Sequence, residues 1–138
     1  MTLEKLLSSY EFLITYKPLA DEVSVDVPSG IEAFALPADA SQDPAQVAHE
    51  AARRSNGRRT ALILPGTSFD ASGTRHGRGA GWYDRFLRAA PNEWLRIGVC
   101  AARQWSAQPL TRKPWDEPVD YVLVYKDGNA ELIETKAR

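Results

Sequence analysis

A glycine-rich segment near the middle of the chain has the residue types and the spacing that phosphate chemistry requires. Gly77, Gly79 and Gly81 alternate with other residues just before a predicted helix. Because glycine lacks a side chain, such a loop adopts positive φ angles and lets a ligand approach the backbone closely. The unpaired N–H groups at the start of the helix, together with the helix dipole, favour an anion. The segment therefore predicts an anion-binding loop.

Charged side chains beside the glycines indicate which anion would bind. Arg75 and Arg78 flank the loop, and each can hold phosphate oxygens through two parallel hydrogen bonds. Asp84 supplies a hard oxygen ligand suited to Mg²⁺ that bridges phosphates. These features predict a nucleoside triphosphate site. The G-x-G-x-G spacing matches neither a Walker A motif nor a dinucleotide fingerprint, so a plain glycine-rich connector is the alternative.

Length and composition bound the class of protein that carries this loop. The 138 residues suffice for one domain, which is predicted to span residues 1–138. A hydrophobic fraction of 43% and a charged fraction of 25% are typical of a globular protein and argue against a disordered chain. No apolar run approaches the roughly 20 residues of a membrane span, and the N-terminal residues do not resemble a signal peptide. With a single cysteine, Cys100, these features predict a cytoplasmic protein without a membrane partner.

The small net charge of −1 conceals a strongly basic centre. Residues 51–115 carry twelve Lys or Arg against three acidic residues, a net charge of +9, and eleven of these cations are arginine. Arginine is the side chain whose geometry best matches phosphate oxygens. The cluster is compatible with a solvated face, a phosphate site or a nucleic-acid surface. Because no recognised nucleic-acid-binding motif accompanies the charge, nucleic acid is the less favoured partner.

Periodicity predicts the elements that position the loop. Strands are predicted at Tyr10–Tyr16, Glu22–Val27, Thr60–Leu64, Ile97–Cys100, Tyr121–Tyr125 and, at an edge, Ala130–Ile133. Asp43 can cap a helix that begins at Pro44 and ends near Asn56, and a second helix is predicted over 82–90. Residues 38–42 are predicted to form a loop. A continuous apolar strand after a helix is typical of a parallel sheet covered on both faces, so the order predicts an α/β layered domain.

The sequence around the glycine loop is similar to that of one enzyme family. Residues 64–70 read LPGTSFD and residues 73–87 read GTRHGRGAGWYDRFL. Together they resemble the PG-x-x-FD-x-x-G-x-R-x-G-x-G-x-G-Y-Y-D signature of 5-formyltetrahydrofolate cyclo-ligase, also called 5,10-methenyltetrahydrofolate synthetase. Residues 114–120, PWDEPVD, resemble the D-x-P-V-D segment of that family, and residues 16–23 resemble its folate-contacting strand and turn. The resemblance implies a three-layer α/β domain with a mainly parallel sheet, the CoA transferase-like fold of that family.

The resemblance also implies a reaction, its cofactors and its site. In this family ATP phosphorylates the formyl oxygen of 5-formyltetrahydrofolate, the second folate nitrogen closes the ring, and 5,10-methenyltetrahydrofolate, ADP and phosphate are released. ATP and Mg²⁺ are the implied cofactors, and a folate is the implied substrate. The implied ATP site comprises Arg75, Gly77, Arg78, Gly79, Ala80, Gly81, Trp82, Tyr83 and Asp84. The further implied roles are catalysis for Arg75, Tyr83 and Asp84, folate binding for Glu22, Trp82 and Tyr83, and Mg²⁺ binding for Asp84 and Asp116.

Departures from the family pattern leave a second hypothesis open. The family carries a Lys-x-x-x-Arg pair on an N-terminal helix, whereas here Lys5 is followed four residues later by Ser9, and that helix is expected to be missing. Ala80 replaces Gly or Lys, and Trp82 replaces a Tyr. The alternative is a non-catalytic relative that binds nucleotide or folate. A second subunit of a homo-oligomer could supply the lost cations.

Several side chains near the motif have two interpretations. Asp70 is either a second metal ligand or, as its Ala-Ser-Gly context favours, a turn residue that bonds its own backbone. His76 is expected at the loop surface. Trp82 belongs to the core, to the site or to both, because it lies four residues before an apolar helix position. Trp105 and Trp115 either edge a pocket or pack against a loop.

Overall fold

The computed structural model, which describes residues 1–37 and 41–137, is built around one mainly parallel sheet. Its helices are α1 (Leu3–Leu7), α2 (Pro44–Ser55) and α3 (Trp82–Ala89). Its strands are β1 (Phe12–Tyr16), β2 (Glu32–Leu36), β3 (Thr60–Pro65), β4 (Ser68–Phe69), β5 (Arg75–His76), β6 (Leu95–Ala101), β7 (Tyr121–Lys126) and β8 (Asn129–Glu134). Six strands form the sheet in the order β2-β1-β3-β6-β7-β8, and every neighbouring pair is parallel except β7 and β8. The predicted α/β class is confirmed.

Apolar side chains on the two faces of the sheet form two cores. Phe12 and Ile14 of β1 point to the face covered by α2 and α3. Leu13, between them, points to the opposite face, where it packs with Leu7 of α1 and with apolar residues of the segment 23–31. Successive side chains of a strand alternate between faces, so each strand serves both cores. The layer on the first face is therefore formed by helices α2 and α3. The layer on the opposite face consists of the short helix α1 and of extended chain.

The two main helices are confirmed, and local signals explain their ends. The Asp43 carboxylate accepts a hydrogen bond from the Gln46 N–H at 3.1 Å and so caps α2, while Asn56 ends the helix in a left-handed conformation with φ of 52°. Helix α3 begins directly after Gly81. Its short apolar stripe of Trp82 and Phe86 packs against α2 and the sheet. No helix of the described residues is long and apolar enough to cross a membrane.

The strand predicted over Glu22–Val27 is wrong. This segment pairs with no strand and runs across the sheet as the connection between β1 and β2. Val23 and Val25 still pack on the sheet face, and the Tyr16 hydroxyl donates a hydrogen bond to the Val23 carbonyl oxygen. The alternating apolar residues therefore reflect burial on one side and not strand pairing. Because β1 and β2 are parallel, the chain must cross from the end of one strand to the start of the other, and this segment is part of that crossover.

A short helix lies at the N-terminus, and the predicted loop at 38–42 is described in part. The expected absence of an N-terminal helix is corrected by α1, which makes a little over one turn and is capped by Thr2, whose hydroxyl accepts from the Lys5 N–H at 3.1 Å. Within the predicted loop, Ser41 and Gln42 belong to no helix or strand, and residues 38–40 lie outside the described residues.

A short hairpin that periodicity does not predict lies in the stretch between β3 and α3. Its strands β4 and β5 pair antiparallel, with Phe69 opposite Arg75. The Phe69 ring is fully buried and lies against Gly98 in the middle of β6. A Cβ atom at position 98 would lie 2.2 Å from Phe69 Cε1. The missing side chain of Gly98 therefore lets the hairpin that carries Arg75 dock on the sheet.

We expect Gly98→Ala to lower the free energy of unfolding by about 3 kcal/mol, the upper part of the usual range for overpacking a core. The added methyl group must displace either the Phe69 ring or the central strand. Urea denaturation measures the effect. In a Phe69→Leu background, Gly98→Ala is expected to cost less free energy of unfolding than it costs in the wild type, because the smaller Leu side chain leaves room for the added methyl group. Equal losses in both backgrounds would show that this contact is not the cause.

Candidate functional site

A cleft of about 580 Å³ opens where β1, β2 and β3 end. Parallel α/β sheets bind ligands at the carboxyl ends of their strands, because loops from several strands converge there. The cleft brings together all the residues that the sequence predicts for the site, which are Glu22, Arg75, Gly77, Arg78, Gly79, Ala80, Gly81, Trp82, Tyr83, Asp84 and Asp116. These residues come from three separate parts of the chain. Their functional roles stay predictions.

The glycine loop lines the cleft and contains backbone N–H groups without a partner among the described residues. Gly79 and Gly81 have φ angles of 92° and 72°, and Gly81 begins α3 without a side-chain cap. No backbone N–H group from Arg78 to Asp84 donates a hydrogen bond within the part of the chain that the structure describes. The first N–H groups of a helix have no partner within the helix, so an unpaired run of them beside a cleft is suited to an external acceptor. The N–H groups from Arg78 to Asp84 are therefore not paired internally, although the Ala80 carbonyl oxygen accepts a hydrogen bond from Arg85.

Arg75 lies beneath this loop and points its guanidinium into the cleft. The residue is only 4% exposed, its Nε donates to the Pro65 carbonyl oxygen at 2.6 Å, and its guanidinium lies 4.8 Å from the centre of the Tyr83 ring. Its two Nη groups have no hydrogen-bond partner within residues 1–37 and 41–137. Burial lowers the pKa of Arg75, but a guanidinium stays charged at neutral pH. The cleft therefore contains a cation with free donors.

The side chain of Arg78, which the sequence predicts to bind phosphate, contacts two carboxylates in this structure. Its Nη2 pairs with the Asp21 carboxylate, and its Nε lies 3.6 Å from Glu22 Oε2. Both carboxylates belong to the segment after β1, across the cleft from the glycine loop. A phosphate at the loop would have to compete with them for the Arg78 side chain, which is about half exposed.

Glu22 shapes the wall opposite the glycine loop. Its Oε1 accepts from the Leu19 N–H at 2.8 Å, and the Glu22 N–H donates to the Leu19 carbonyl oxygen at 2.9 Å, which closes a tight turn. The side chain is 14% exposed and lines the cleft. One carboxylate oxygen is thus used locally, and the other faces Arg78.

Asp84 and Asp116 each leave one oxygen available in the cleft. Asp84 Oδ1 accepts from the Glu117 N–H at 3.1 Å, and Asp116 Oδ2 accepts from the Lys113 N–H at 2.8 Å. Burial raises the pKa of Asp84 above its ordinary value, and the charge of Asp116 adds to the rise, against lowering by the Glu117 N–H and Arg75. No group of three or more His, Cys, Asp or Glu side chains among the described residues is arranged to hold a metal. Two carboxylates still suit Mg²⁺, which usually takes one or two and completes its shell with phosphates and water.

The aromatic pair after the loop combines packing with access to the cleft. Trp82 is 7% exposed, stacks on Phe86 with a centroid distance of 5.6 Å, and donates through Nε1 to the Gln42 carbonyl oxygen at 2.7 Å. Trp82 therefore belongs both to the core and to the cleft wall. Tyr83 lies edge-on to it, and burial raises the pKa of the Tyr83 hydroxyl to about 12. At neutral pH this hydroxyl is protonated and can donate a hydrogen bond.

The two side chains with open interpretations nearby are resolved. Asp70 is 1% exposed, and its carboxylate accepts from the Ser72 N–H and hydroxyl, the Thr74 N–H and the Leu110 N–H. It is the turn residue that closes the hairpin. His76 lies on β5 at the surface of the cleft, where it is partly exposed and its Nε2 lies 2.6 Å from the Thr111 carbonyl oxygen.

We expect Asp70→Asn to cost about 2 kcal/mol of folding free energy, because hydrogen bonds to a charged group are lost and an amide N–H₂ would face a backbone donor. Burial alone would raise the pKa of Asp70, but the hydrogen bonds from Leu110, Ser72 and Thr74 outweigh it and lower the pKa. The stability from this carboxylate is therefore present above the unfolded-state pKa and is lost as the pH falls through the folded-state pKa. Thermal unfolding at neutral and acidic pH measures both effects. If acidification lowered the stability of Asp70→Asn as much as that of the wild type, the stabilising role of the Asp70 carboxylate would be contradicted.

The structure adds cleft residues that sequence reasoning did not assign. Lys17, Thr67, Thr111 and Lys113 line the cleft. Lys17 lies within the family-like segment 16–23, and Lys113 directly precedes the family-like segment 114–120. Neither lysine belongs to a sequence pattern that predicts a binding residue. Trp115 edges the cleft, while the other open tryptophan, Trp105, packs against the core.

Several arginines of the basic centre are paired within the molecule. Arg53 lies 2.6 Å from Glu50, and Arg58 lies 3.0 Å from Glu32. Arg96 is buried and lies 3.3 Å from Glu117. Charges paired in this way contribute little to a field that attracts nucleic acid, so the structure adds no support for that alternative.

The fold is an α/β domain with a mainly parallel sheet, and its glycine loop, Asp84 and Asp116 line one cleft. The model of the 5-formyltetrahydrofolate cyclo-ligase family matches residues 34–125, which is more than half of the chain. The chain therefore belongs to this family, as the sequence resemblance predicts.

Two relatives support this placement. A 5-formyltetrahydrofolate cyclo-ligase from Mycoplasma genitalium is 31% identical over 62 residues, which make up 45% of this chain and 36% of that protein. The match thus spans about a third of the length of that relative. A solved 5,10-methenyltetrahydrofolate synthetase from Mycoplasma pneumoniae matches with a TM-score of 0.61 and 19% identity, over 87% of this chain and 78% of that one. The structural likeness confirms the predicted fold.

Proposed function

We propose that this protein converts 5-formyltetrahydrofolate into 5,10-methenyltetrahydrofolate with consumption of ATP and release of ADP and phosphate. One observation carries the proposal: Arg75 and the residues from Arg78 to Asp84 line the same cleft, and the Nη groups of Arg75 and the backbone N–H groups of that run have no hydrogen-bond partner among the described residues. Membership of the cyclo-ligase family supports the choice of reaction.

The phosphates of ATP would lie along the glycine loop. Backbone N–H groups bind phosphate oxygens without a side chain, and the start of α3 adds a partial positive charge. Arg75 would hold oxygens of the transferred phosphoryl group through its two Nη groups, in the bidentate manner of guanidinium groups. Positioning and charge neutralisation are the main contributions a protein makes to phosphoryl transfer.

The chemistry consists of two balanced displacements. The formyl oxygen attacks the terminal phosphorus of ATP, and ADP leaves. The second folate nitrogen then attacks the formyl carbon and gives up its N–H proton. The bond between that carbon and the phosphorylated oxygen breaks, and inorganic phosphate leaves with the former formyl oxygen and takes up the proton. The protonated Tyr83 hydroxyl and Arg75 are the cleft donors beside the loop that can stabilise the developing negative charge.

Asp84 and Asp116 would hold Mg²⁺, which neutralises phosphate charge when it is bound. Each of the two carboxylates has one oxygen without a partner in the described part of the chain. Glu22, on the opposite wall, would accept hydrogen bonds from the N–H edge of the pterin, because a carboxylate is an acceptor only. The apolar rim residue Leu19 and the Trp82 wall would cover the ring.

The experiment is a turnover assay with purified protein, Mg·ATP and 5-formyltetrahydrofolate, followed by the absorbance of the methenyl product and by ADP release. The proposal predicts equal amounts of both products and no turnover without ATP. Binding of both ligands without any product would instead support the non-catalytic relative. Failure to bind either ligand would contradict the proposal and that alternative together.

A further inference from the structure

An anchored turn at the mouth of the cleft has a feature that the proposed chemistry does not use. We call residues 113–116 the rim turn. The Lys113 N–H donates to Asp116 Oδ2 at 2.8 Å, and the Asp116 N–H donates to the Lys113 carbonyl oxygen at 3.0 Å. Arg88 of α3 donates to the Trp115 carbonyl oxygen at 2.7 Å. The backbone of the turn is therefore closed on itself and fixed to the helix that follows the glycine loop.

This turn holds a large aromatic side chain in solvent. Trp115 is 54% exposed and is the one aromatic residue among the large exposed hydrophobic side chains of the described chain. Its indole N–H has no hydrogen-bond partner there, and the ring lines the cleft. Exposure of so much apolar surface is unfavourable unless something covers it. An aromatic ring on a fixed backbone is a stacking platform that costs little entropy when a ligand binds.

A cation lies beside the platform without an acidic partner. The Lys113 Nζ is 5.3 Å from the centre of the Trp115 ring. No carboxylate of the described residues lies within ion-pair distance of this amine. An anionic group that stacks near Trp115 would therefore meet an uncompensated positive charge. Ring and amine together suit a planar aromatic ring that carries a nearby anion.

We propose that Trp115 and Lys113 form a binding subsite for the aromatic, anionic part of a cleft ligand. The subsite deepens the proposed function and rests on it. Two parts of the proposed ligands have this chemistry: the nucleobase of ATP with the phosphate nearest to it, and the benzoyl-glutamate tail of the folate. In the proposed function the rest of each ligand, the terminal phosphates of ATP or the pterin of the folate, would bind elsewhere in the cleft.

The test compares each ligand with an analogue that lacks its aromatic group, which is the nucleobase in one case and the benzoyl-glutamate tail in the other. Isothermal calorimetry on the wild type, Trp115→Ala and Lys113→Met uses Mg·ATP, magnesium triphosphate, 5-formyltetrahydrofolate and a 5-formyltetrahydropterin without the benzoyl-glutamate tail. Stacking on an aromatic side chain is worth about 1–3 kcal/mol per base, so Trp115→Ala is expected to weaken one complete ligand roughly tenfold or more. The matching truncated analogue is expected to be unchanged. Which complete ligand weakens identifies the source.

Two controls separate a subsite from a general effect. Trp115→Phe keeps an aromatic face and is expected to retain most of the affinity. Lys126→Met removes a surface lysine outside the cleft and is expected to change nothing, whereas Lys113→Met is expected to weaken the same ligand as Trp115→Ala. Affinities of Trp115→Ala within twofold of the wild type for both complete ligands would overturn the subsite alone. A wild type that binds neither ligand would overturn the proposed function, and the subsite with it.

Discussion

Arg75→Met is expected to weaken Mg·ATP binding by about a hundredfold, which corresponds to two charge-assisted hydrogen bonds of about 1.5 kcal/mol each. The reason is geometric. Arg75 lies beneath the glycine loop, its Nη groups have no partner in the described part of the chain, and the carbonyl oxygen of Pro65 holds its Nε in place. Isothermal calorimetry with Mg·ATP measures the effect directly.

The controls for this prediction address folding and charge. Arg75 also packs on Tyr83, so thermal unfolding must show that the variant is folded at the temperature of the binding measurement. Arg75→Lys keeps the charge without the planar pair of donors and is expected to bind with an intermediate affinity. Arg103→Met removes an exposed arginine outside the cleft and is expected to bind like the wild type. An affinity of Arg75→Met within threefold of the wild type would contradict the assignment of Arg75 to the phosphate site.

Asp84→Asn is expected to lower kcat at least a hundredfold, since removing a preorganised charge-stabilising group costs about that much. The same variant is expected to be at least as stable as the wild type at neutral pH. Burial raises the pKa of Asp84 above its unfolded value, so its ionisation opposes folding at a pH above that pKa. Asparagine is neutral and can still accept the hydrogen bond from the Glu117 N–H. Activity and stability should therefore change in opposite directions.

Steady-state turnover and urea denaturation on the same preparation measure both effects. Glu131→Gln, which removes an exposed carboxylate on β8, is the matched control and is expected to change neither quantity. In the wild type, activity should fall on the acid side as Asp84 becomes protonated, and burial moves this fall to a higher pH than for an aspartate of ordinary pKa. Turnover of Asp84→Asn close to that of the wild type would remove Asp84 from the proposed mechanism.

Most of the sheet and both main helices are predictable from the sequence because their signals are local. Asp43 and Pro44 mark the start of α2, and the continuous apolar run of β3 marks a strand buried on both faces. The segment Glu22–Val27 shows the limit of this reasoning. Its alternating valines pack on the sheet, and only the topology decides that no strand pairs with them.

The site divides in the same way. The glycine loop and Asp84 are adjacent in sequence, so their spacing alone predicts an anion site. The contact between Arg78 and Asp21 joins residues far apart along the chain, and so does the arrangement of the 113–116 turn beside α3. Such contacts depend on the three-dimensional fold. The buried position of Asp70 follows from hydrogen bonds that reach as far as Leu110, although its turn role is predictable locally.

The most direct test of the account is a backbone amide NMR titration of the ¹⁵N-labelled protein with Mg·ATP. The account predicts saturable shifts of the amide resonances from Arg78 to Asp84, since these N–H groups gain phosphate acceptors. Resonances of β8, which lies at the far edge of the sheet, should stay in place. Binding of Mg·ATP that leaves the amides from Arg78 to Asp84 unshifted would contradict the claim that this loop holds the triphosphate.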